Sequence, residues 1–306
     1  MQGIQISKPV QQAMEQGQPV VALETAVLTH GLPHPQNIQL SHDLETTARA
    51  AGVTPATIGI IQGTPIIGLT QQEIEFLGNP ATDVRKISKR DFGIALSRQL
   101  NGGTTVCATM ILAKLANIQV FATGGIGGVH RGTNFDISAD LPQLANTPMI
   151  VVCAGAKSIL DLPNTREYLE TAGVPVIGYQ TDTFPAFFSP SSGLPVDMSV
   201  DTEEEVANIA RHHWSLGLQS SILLVVPPPS STALQGRAIE DAIDQAINEA
   251  AAEGIHGAAT TPYLLSRVNQ LTDGLSMRAN LDLLKNNTKV ASLVAIALSK
   301  DKQRTY

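Results

Sequence analysis

The sequence is short of positive charge and of cysteine. Its 20 lysines and arginines are outnumbered by 27 aspartates and glutamates, so the net charge is −7. This balance excludes the broad basic surface with which proteins coat nucleic acid. It is compatible with a small phosphorylated ligand, because a local pocket can be positive on an acidic protein. The two cysteines, Cys107 and Cys153, lie inside apolar segments, which favours buried thiols over a disulfide or a catalytic pair.

Long apolar runs are also missing. The longest run near the end of the chain, Val290–Leu298, is far too short to span a bilayer and contains Ser292. The first twenty residues have no cationic start followed by an apolar core, so they do not resemble a secretory signal. We therefore expect a cytoplasmic protein with neither a membrane nor a nucleic-acid partner.

The composition and the pattern of apolar runs predict the fold class. Hydrophobic residues make up 43% of the chain and charged ones 15%, which allows a large core and argues against disorder. Short, partly β-branched runs predict strands, among them Pro19–Leu23, Ile118–Ala122, Met149–Cys153, Val174–Tyr179 and Ser221–Val226. Helical patterns alternate with these runs, which predicts a three-layer α/β/α protein whose mostly parallel central sheet is covered by helices on both faces. Because no repeat or linker is visible, we expect a single domain over residues 1–306.

A glycine-rich turn, Gly124–Gly128, follows one predicted strand and precedes His130 and Arg131. It fails the dinucleotide fingerprint G-x-G-x-x-G, because the last position counted from Gly125 is His130. One interpretation is a tight turn that needs positive φ. The other is a nest of backbone amides that binds an anion. The two basic side chains favour the second, a phosphate site.

Lys157 follows the predicted strand Met149–Cys153 in a Gly-Ala-Lys-Ser setting. Ligands of open α/β sheets bind outside the carboxyl ends of strands. Desolvation there favours the neutral amine, a nucleophile that can form an imine with a sugar carbonyl. The alternative is a structural lysine that caps the sheet edge or pairs with Asp161.

Glu24 follows the apolar run PVVAL. A carboxyl group in this position is poorly solvated, which raises its pKa and suits it to donate a proton near neutrality; the alternative is an ordinary cap. Lys86 could neutralise a substrate phosphate or an enolate, although a lysine beside Arg85 is usually solvated.

Asp136, Ser138 and Asp140 alternate along the chain. In an extended segment they would share one face and offer hard oxygen ligands to Mg²⁺ or Mn²⁺. In a helical segment Ser138 would cap the helix, and the two aspartates would stabilise its amino terminus. The loop TDTFPAFFSPSSGLPVD, Thr181–Asp197, is too long for a simple connection, which predicts a lid or a subunit contact.

Six ordered motifs, read together, closely resemble one family. They are ALETAVLTHGLPHP, VRKISKRD, GGTTVCATM, ATGGIGGVHRG, FDISADL and VVCAGAKSILDLP, with MRAN (Met277–Asn280) after them. These motifs resemble the pseudouridine-5′-phosphate glycosidases, the family that includes indigoidine synthase A-like proteins. The resemblance runs from about Val20 to Asn280 and keeps the family's order and spacing.

The resemblance implies an enzyme of the carbon–oxygen hydro-lyase class, a homotrimer of α/β/α fold, which reversibly cleaves pseudouridine 5′-phosphate to uracil and ribose 5-phosphate. It implies that Lys157 is the nucleophile, Glu24 the proton donor and Asp136 a ligand of Mn²⁺. It also implies substrate contacts at the positions that match the family's substrate-binding residues, namely Lys86, Val106, Ser138, Ala139, Asp140 and Asn280.

Two other functions stay open on the residues alone. A Schiff-base aldolase or lyase on another sugar phosphate would use the same lysine. A non-catalytic phosphosugar-binding module would need neither Lys157 nor Glu24.

Overall fold

The structure of the protein is a computed structural model that describes residues 3–300, except 133–135, 235 and 256. The strands in chain order are β1 (Gln5–Ile6), β2 (Val20–Leu23), β3 (Thr54–Ile61), β4 (Thr64–Ile67), β5 (Arg85–Ile87), β6 (Gly102–Thr104), β7 (Val120–Ala122), β8 (Val129–His130), β9 (Ile150–Cys153), β10 (Leu160–Asp161), β11 (Val176–Tyr179), β12 (Met198–Val200) and β13 (Ile222–Val225). The five strands named from the sequence are all present, with ends shifted by one or two residues.

The main sheet has the order β1-β4-β3-β2-β7-β9-β13-β11-β12, and β6 pairs with both β3 and β5. Neighbouring strands are parallel except where β3 meets β4 and β6. β3 and β4 form an antiparallel hairpin, with positive φ at both Gln62 and Gly63 as a type I′ turn requires. Strands β8 and β10 form a separate antiparallel pair.

The helices are α1 (Lys8–Glu15), α2 (Gln36–Ala50), α3 (Gln71–Gly78), α4 (Phe92–Ser97), α5 (Val106–Leu115), α6 (Asp140–Leu144), α7 (Leu162–Thr171), α8 (Glu203–Ser215), α9 (Arg237–Ala252), α10 (Thr260–Leu271) and α11 (Leu275–Ser299). Helix α11 packs on β2, β7 and β9 and also contacts α2 and α8. Helix α5 contacts β2, β3 and β4 and packs against α6. The sheet is thus mostly parallel and covered by helices on both faces, which confirms the predicted fold class. Within the part of the chain that the structure describes, no helix combines the length and apolar character needed to cross a membrane.

The central strands determine where polar side chains can emerge. Every residue of β2, β7, β9 and β13 is buried, as expected for parallel strands covered on both faces. The register pairs Leu23 with Ala122 and Ala122 with Val152. Residues that follow β2, β7 and β9 therefore leave the sheet at one shared edge.

Candidate active site

Glu24 and Thr123 directly follow β2 and β7, and Lys157 lies four residues beyond β9. Because these strands are adjacent and parallel, the three side chains meet at one edge of the sheet. They line a cavity of about 730 Å³, a volume typical of a small-molecule site.

The cavity brings together all but one of the residues predicted from the sequence. It is lined by Glu24, Lys86, Val106, His130, Asp136, Ser138, Ala139, Asp140, Lys157 and Asn280. These residues come from strands, helices and loops that are far apart in the chain, and the fold brings them together. The residue that it does not bring to the cavity is Arg131.

Glu24 has the environment of a proton donor. The hydroxyl of Thr123 donates a hydrogen bond to its Oε1. Burial raises the pKa of Glu24 above its ordinary 4.5, although the Lys157 charge and the Thr123 hydrogen bond oppose this shift. A raised pKa keeps more of the carboxyl protonated as the pH approaches neutrality, which is the form a general acid needs.

Lys157 is held by its backbone against the glycine turn. Its N–H donates to the carbonyl of Ile126 at 3.1 Å, and its own carbonyl accepts from the N–H of Leu160 at 3.0 Å. Two residues earlier, Gly155 has φ 79°, and a Cβ there would lie 2.2 Å from the carbonyl oxygen of Pro185. The Gly-Ala-Lys sequence thus lets the chain pass close to a neighbouring loop and turn the lysine into the cavity.

One structural alternative for Lys157, a pairing with Asp161, is not supported by its surroundings. Asp161 instead caps α7, where its carboxylate accepts from the N–H of Asn164 at 3.0 Å and from that residue's side-chain amide at 2.8 Å. The Lys157 charge acts on Glu24, Lys86 and His130, so these groups share its electrostatic environment.

A cluster of basic side chains lies beside Lys157. Burial, with help from the Lys157 charge, lowers the pKa of Lys86. Burial and the Lys86 charge also lower the pKa of His30, a cavity residue on the π-helical turn Val27–Gly31. Lys86, His30 and Lys157 thus form a basic group in this cavity although the whole chain is acidic.

One backbone amide of the glycine turn already binds an anion within the protein, and a phosphate nest at this turn stays a prediction. The N–H of Gly127 donates to Asp140 Oδ2 at 2.8 Å, and the N–H of Cys107 donates to Asp140 Oδ1 at 2.9 Å. The anion bound at this turn is therefore a carboxylate of the protein itself, and it links the turn to the first residues of α5.

The other interpretation of the turn, a need for positive φ, is wrong. Gly124, Gly125, Gly127 and Gly128 all have negative φ or extended backbone. Close packing explains them instead. A Cβ on Gly125 would lie 2.6 Å from the Phe187 ring, and one on Gly127 would lie 2.2 Å from the Ser138 hydroxyl.

The two basic residues after the turn have different surroundings. His130 lines the cavity, and burial lowers its pKa although the Asp136 charge opposes this. Arg131 turns away, and its guanidinium donates to the carbonyls of Ser158 at 2.9 Å and Leu160 at 3.1 Å. A direct contact of Arg131 with substrate phosphate therefore finds no support in this arrangement.

The two aspartates of this region, Asp140 and Asp136, have different surroundings. Asp140 begins α6, and its N–H donates to the Ser138 hydroxyl at 3.2 Å. Its carboxylate is occupied by backbone amides, whereas the exposed Asp136 faces the cavity. Among the described residues no group of three His, Cys, Asp or Glu side chains could hold a metal. One carboxylate with water and substrate oxygens is a donor set that fits a hard divalent ion such as Mg²⁺, which keeps several waters.

The loop from Thr181 to Asp197 is packed into the protein rather than exposed as a lid. Phe184, Phe187 and Phe188 are buried, and the N–H of Phe187 donates to the Ala154 carbonyl at 3.0 Å. Phe187 also lines the cavity. The loop forms part of the cavity wall, and a subunit contact through it stays a prediction.

Sequence reasoning missed Thr123, His30 and the α10 residues Thr261 and Leu265, which also line the cavity. Thr123 was detectable, since it follows β7 just as Glu24 follows β2. The α10 residues carry no comparable signal, because nothing in an amphipathic helix tells which cavity it covers.

Comparison with known families gives a clear result. The family model described as indigoidine synthase A like protein matches residues 9–297. The chain belongs to this family. Two curated relatives, each named pseudouridine-5′-phosphate glycosidase, come from Caldanaerobacter subterraneus subsp. tengcongensis and Chloroflexus aurantiacus. The first is 52% identical over 97% of this chain and 97% of its own length, and the second is 50% identical over 97% and 99%.

A solved structure is also similar to this indigoidine synthase A-like chain in its fold. The prealnumycin C-glycosynthase AlnA, crystallised in complex with ribulose 5-phosphate, is 39% identical and superposes with a TM-score of 0.91 over 99% of both chains. The whole chain therefore shares the fold of a protein seen with a pentulose phosphate.

Proposed function

We propose that the protein reversibly cleaves pseudouridine 5′-phosphate to uracil and ribose 5-phosphate. The observation that carries this proposal is that Glu24, a half-buried carboxyl with a raised pKa, and Lys157 line one cavity with the basic Lys86. The curated relatives named for this activity support it over nearly the whole chain.

The bond to be cleaved explains the need for a lysine. Uracil C5 and ribose C1′ are joined by a carbon–carbon bond, so protonation of a leaving nitrogen cannot break it. Attack of the Lys157 amine on C1′ opens the ribose ring, and the ring oxygen takes up a proton. The nitrogen lone pair then forms the imine while the bond to uracil C5 breaks and C5 is protonated. Water hydrolyses the imine, which releases ribose 5-phosphate and restores the amine.

Glu24 is the group that we assign to the proton transfers that accompany ring opening and uracil departure. Its raised pKa supports a protonated carboxyl at the start of the reaction. The Thr123 hydrogen bond restricts its orientation. In the direction of synthesis the same carboxylate would accept the proton again.

We assign the phosphate to the basic side of the cavity. Lys86 supplies positive charge, and Val106, the first residue of α5, also lines the cavity. Ser138, Ala139 and Asn280 line the remaining wall, where hydroxyl and amide groups suit the hydroxyls of a sugar and the edge of a pyrimidine. His130 also lines the cavity, and the charges of Asp136, Lys157 and Lys86 all act on its pKa.

We also propose Asp136 as the protein ligand of a divalent ion, with Mn²⁺ the expected metal. Such an ion would organise water and polar substrate groups. The homotrimer, the cytoplasmic location and the single domain over 1–306 stay predictions from the sequence.

Borohydride reduction in the presence of ribose 5-phosphate, followed by peptide mass mapping, tests the covalent step. We expect a stable adduct on Lys157 and none in Lys157→Arg, which keeps the charge but cannot form the imine. Lys89→Arg is the matched control, because Lys89 also lines the cavity and its loss should leave the adduct intact.

The same reaction mixtures separate the alternatives. Consumption of ribose 5-phosphate should require uracil, whereas an aldolase would ignore uracil. Sugar phosphate binding without an adduct in the wild-type protein would contradict the proposal and indicate a binding module.

A further inference from the structure

Arg131 makes its contacts with the chain that carries Lys157. Its Nη2 donates to the Ser158 carbonyl at 2.9 Å and its Nε donates to the Leu160 carbonyl at 3.1 Å. Ser158 and Leu160 are buried residues. Both carbonyls come within three residues after the lysine, so the guanidinium binds the turn that directs Lys157.

Backbone hydrogen bonds also bind this segment. Ile126 donates its N–H to the Gly155 carbonyl at 3.1 Å, and Lys157 donates its N–H to the Ile126 carbonyl at 3.1 Å. Farther along, His130 pairs with Leu160 in the β8–β10 ribbon. Arg131 follows His130 in the chain and adds side-chain hydrogen bonds to this backbone pairing. Its one side chain donates to both the Ser158 and the Leu160 carbonyl, which a single backbone N–H cannot do.

Guanidinium chemistry suits this task. Its N–H groups lie in one rigid plane and can satisfy two carbonyls at once, whereas an ammonium is a single compact donor group on a flexible stem. Arg131 also pairs with Asp244 of α9 at 3.0 Å, but the Asp244 side chain is 64% exposed. Exposed ion pairs contribute little to stability, so the two hydrogen bonds to carbonyls are what hold the Lys157 turn.

We infer that Arg131 is a positioning residue that holds the Lys157 turn so that the amine reaches the anomeric carbon of the sugar. This inference rests on the proposed function, since it assumes that Lys157 forms an imine. It assigns to Arg131 a role distinct from phosphate binding. A displacement of about 1 Å between reacting groups can cost on the order of 100-fold in rate.

Two measurements on the full-length protein separate positioning from substrate contact. The first is the rate of borohydride-trapped adduct formation at saturating ribose 5-phosphate. The second is the Kd of ribitol 5-phosphate, which carries the phosphate and hydroxyls but has no carbonyl and cannot form an imine. For Arg131→Met we expect the trapping rate to fall about 30–100-fold while the Kd changes less than about threefold. Arg131→Lys should recover part of the rate, because one ammonium can still bind one carbonyl.

Two variants serve as controls. Asp244→Asn removes only the exposed ion pair and should trap at the wild-type rate. Arg166→Met removes a comparable guanidinium, which donates to the Pro195 carbonyl and pairs with Asp197, so it should lower Tm without slowing the trapping step. If Arg131→Met does not fold, Arg131→Lys carries the same comparison.

An unchanged trapping rate in both Arg131 variants would overturn the inference. A rise in the Kd of ribitol 5-phosphate that matches the loss of rate would also overturn it, since Arg131 would then contact the substrate. Failure of the wild-type protein to form an adduct is a different result, which would refute the proposed function itself and the inference with it.

Discussion

The hydroxyl of Thr123 donates a hydrogen bond to Oε1 of Glu24. The two residues are 99 positions apart in the chain, yet each directly follows one of two adjacent parallel strands. The hydrogen bond opposes the rise that burial imposes on the pKa of Glu24. Thr123 therefore adjusts both the orientation and the acidity of the proposed proton donor.

Replacing Thr123 by valine should change the pH dependence of turnover. Loss of the hydrogen bond raises the pKa of Glu24 further, so the protonated acid persists to higher pH and the alkaline limb of kcat/KM should shift upward. The maximum rate should fall about tenfold, because the carboxyl loses its orientation. Thr123→Ser keeps the hydroxyl and should retain the wild-type profile. An alkaline limb that stays in place in Thr123→Val would show that the limb does not report Glu24.

Glu24→Gln should stabilise the folded protein while it abolishes turnover. The pKa of Glu24 is raised in the folded state, so above pH 4.5 the unfolded chain releases this proton more readily than the folded one. Wild-type stability is therefore lost as the pH rises from about 4.5 through the folded pKa, and glutamine removes this loss. Thermal melts at pH 4 and pH 7 should give equal Tm values at the lower pH. At the higher pH the variant should melt higher, by about 2–4 °C for a difference near 1 kcal/mol.

The control for that experiment is Glu75→Gln, since Glu75 is exposed on α3. Its Tm difference from the wild type should not vary between the two pH values. A Glu24→Gln variant less stable than the wild type at pH 7 would mean that the ionised carboxylate stabilises the fold.

Gly125→Ala should impair both folding and turnover. A Cβ there would lie 2.6 Å from the Phe187 ring and 3.1 Å from the Gly155 carbonyl oxygen, so the turn that holds Lys157 must move. Overpacking of this kind typically costs about 1–3 kcal/mol, which denaturant unfolding would measure. Gly93→Ala in α4 is the matched control. A Cβ there meets nothing within 4 Å, so the substitution should be neutral or stabilise by about 0.5–1 kcal/mol. Equal effects of the two substitutions would contradict the packing explanation.

Asp136→Asn should weaken Mn²⁺ binding. Asp140 is occupied by two backbone amides, whereas Asp136 is exposed and lines the cavity. Titration calorimetry with Mn²⁺ should show at least the 10–100-fold loss that outer-shell changes cause at metal sites, about 1.4–2.8 kcal/mol. Asp83→Asn changes an exposed aspartate outside the cavity and should bind as the wild type does. Undiminished Mn²⁺ affinity in Asp136→Asn would exclude Asp136 as the ligand.

The main elements and the two candidate catalytic residues could be predicted because they depend on local pattern. Strands buried on both faces read as unbroken apolar runs, and Glu24 and Lys157 come shortly after two such runs. The rule that ligands bind at the carboxyl ends of parallel strands then places both residues near the site. The basic Lys86 and the acidic Asp136 were also detectable by chemistry and spacing.

The roles of Arg131 and of the glycine turn could not be predicted in the same way. Neighbouring basic residues in sequence, His130 and Arg131, point to different surroundings because His130 ends strand β8 whereas Arg131 lies in the turn that follows it. The glycines are needed because Phe187 and Ser138 pack against them, and no local pattern reveals which distant side chain will lie opposite a given position.

By itself the sequence determined the strands and helices, the family, and the positions where Glu24 and Lys157 leave the sheet. These features follow from the local pattern of apolar residues, which indicates buried segments and where they end. Only the tertiary structure decided that Thr123 holds Glu24, that Asp140 binds the glycine turn and that Arg131 holds the lysine turn. The physical reason is that these contacts follow from the order of β2, β7 and β9 in the sheet. That order is determined by packing over the whole chain rather than by any one segment of it.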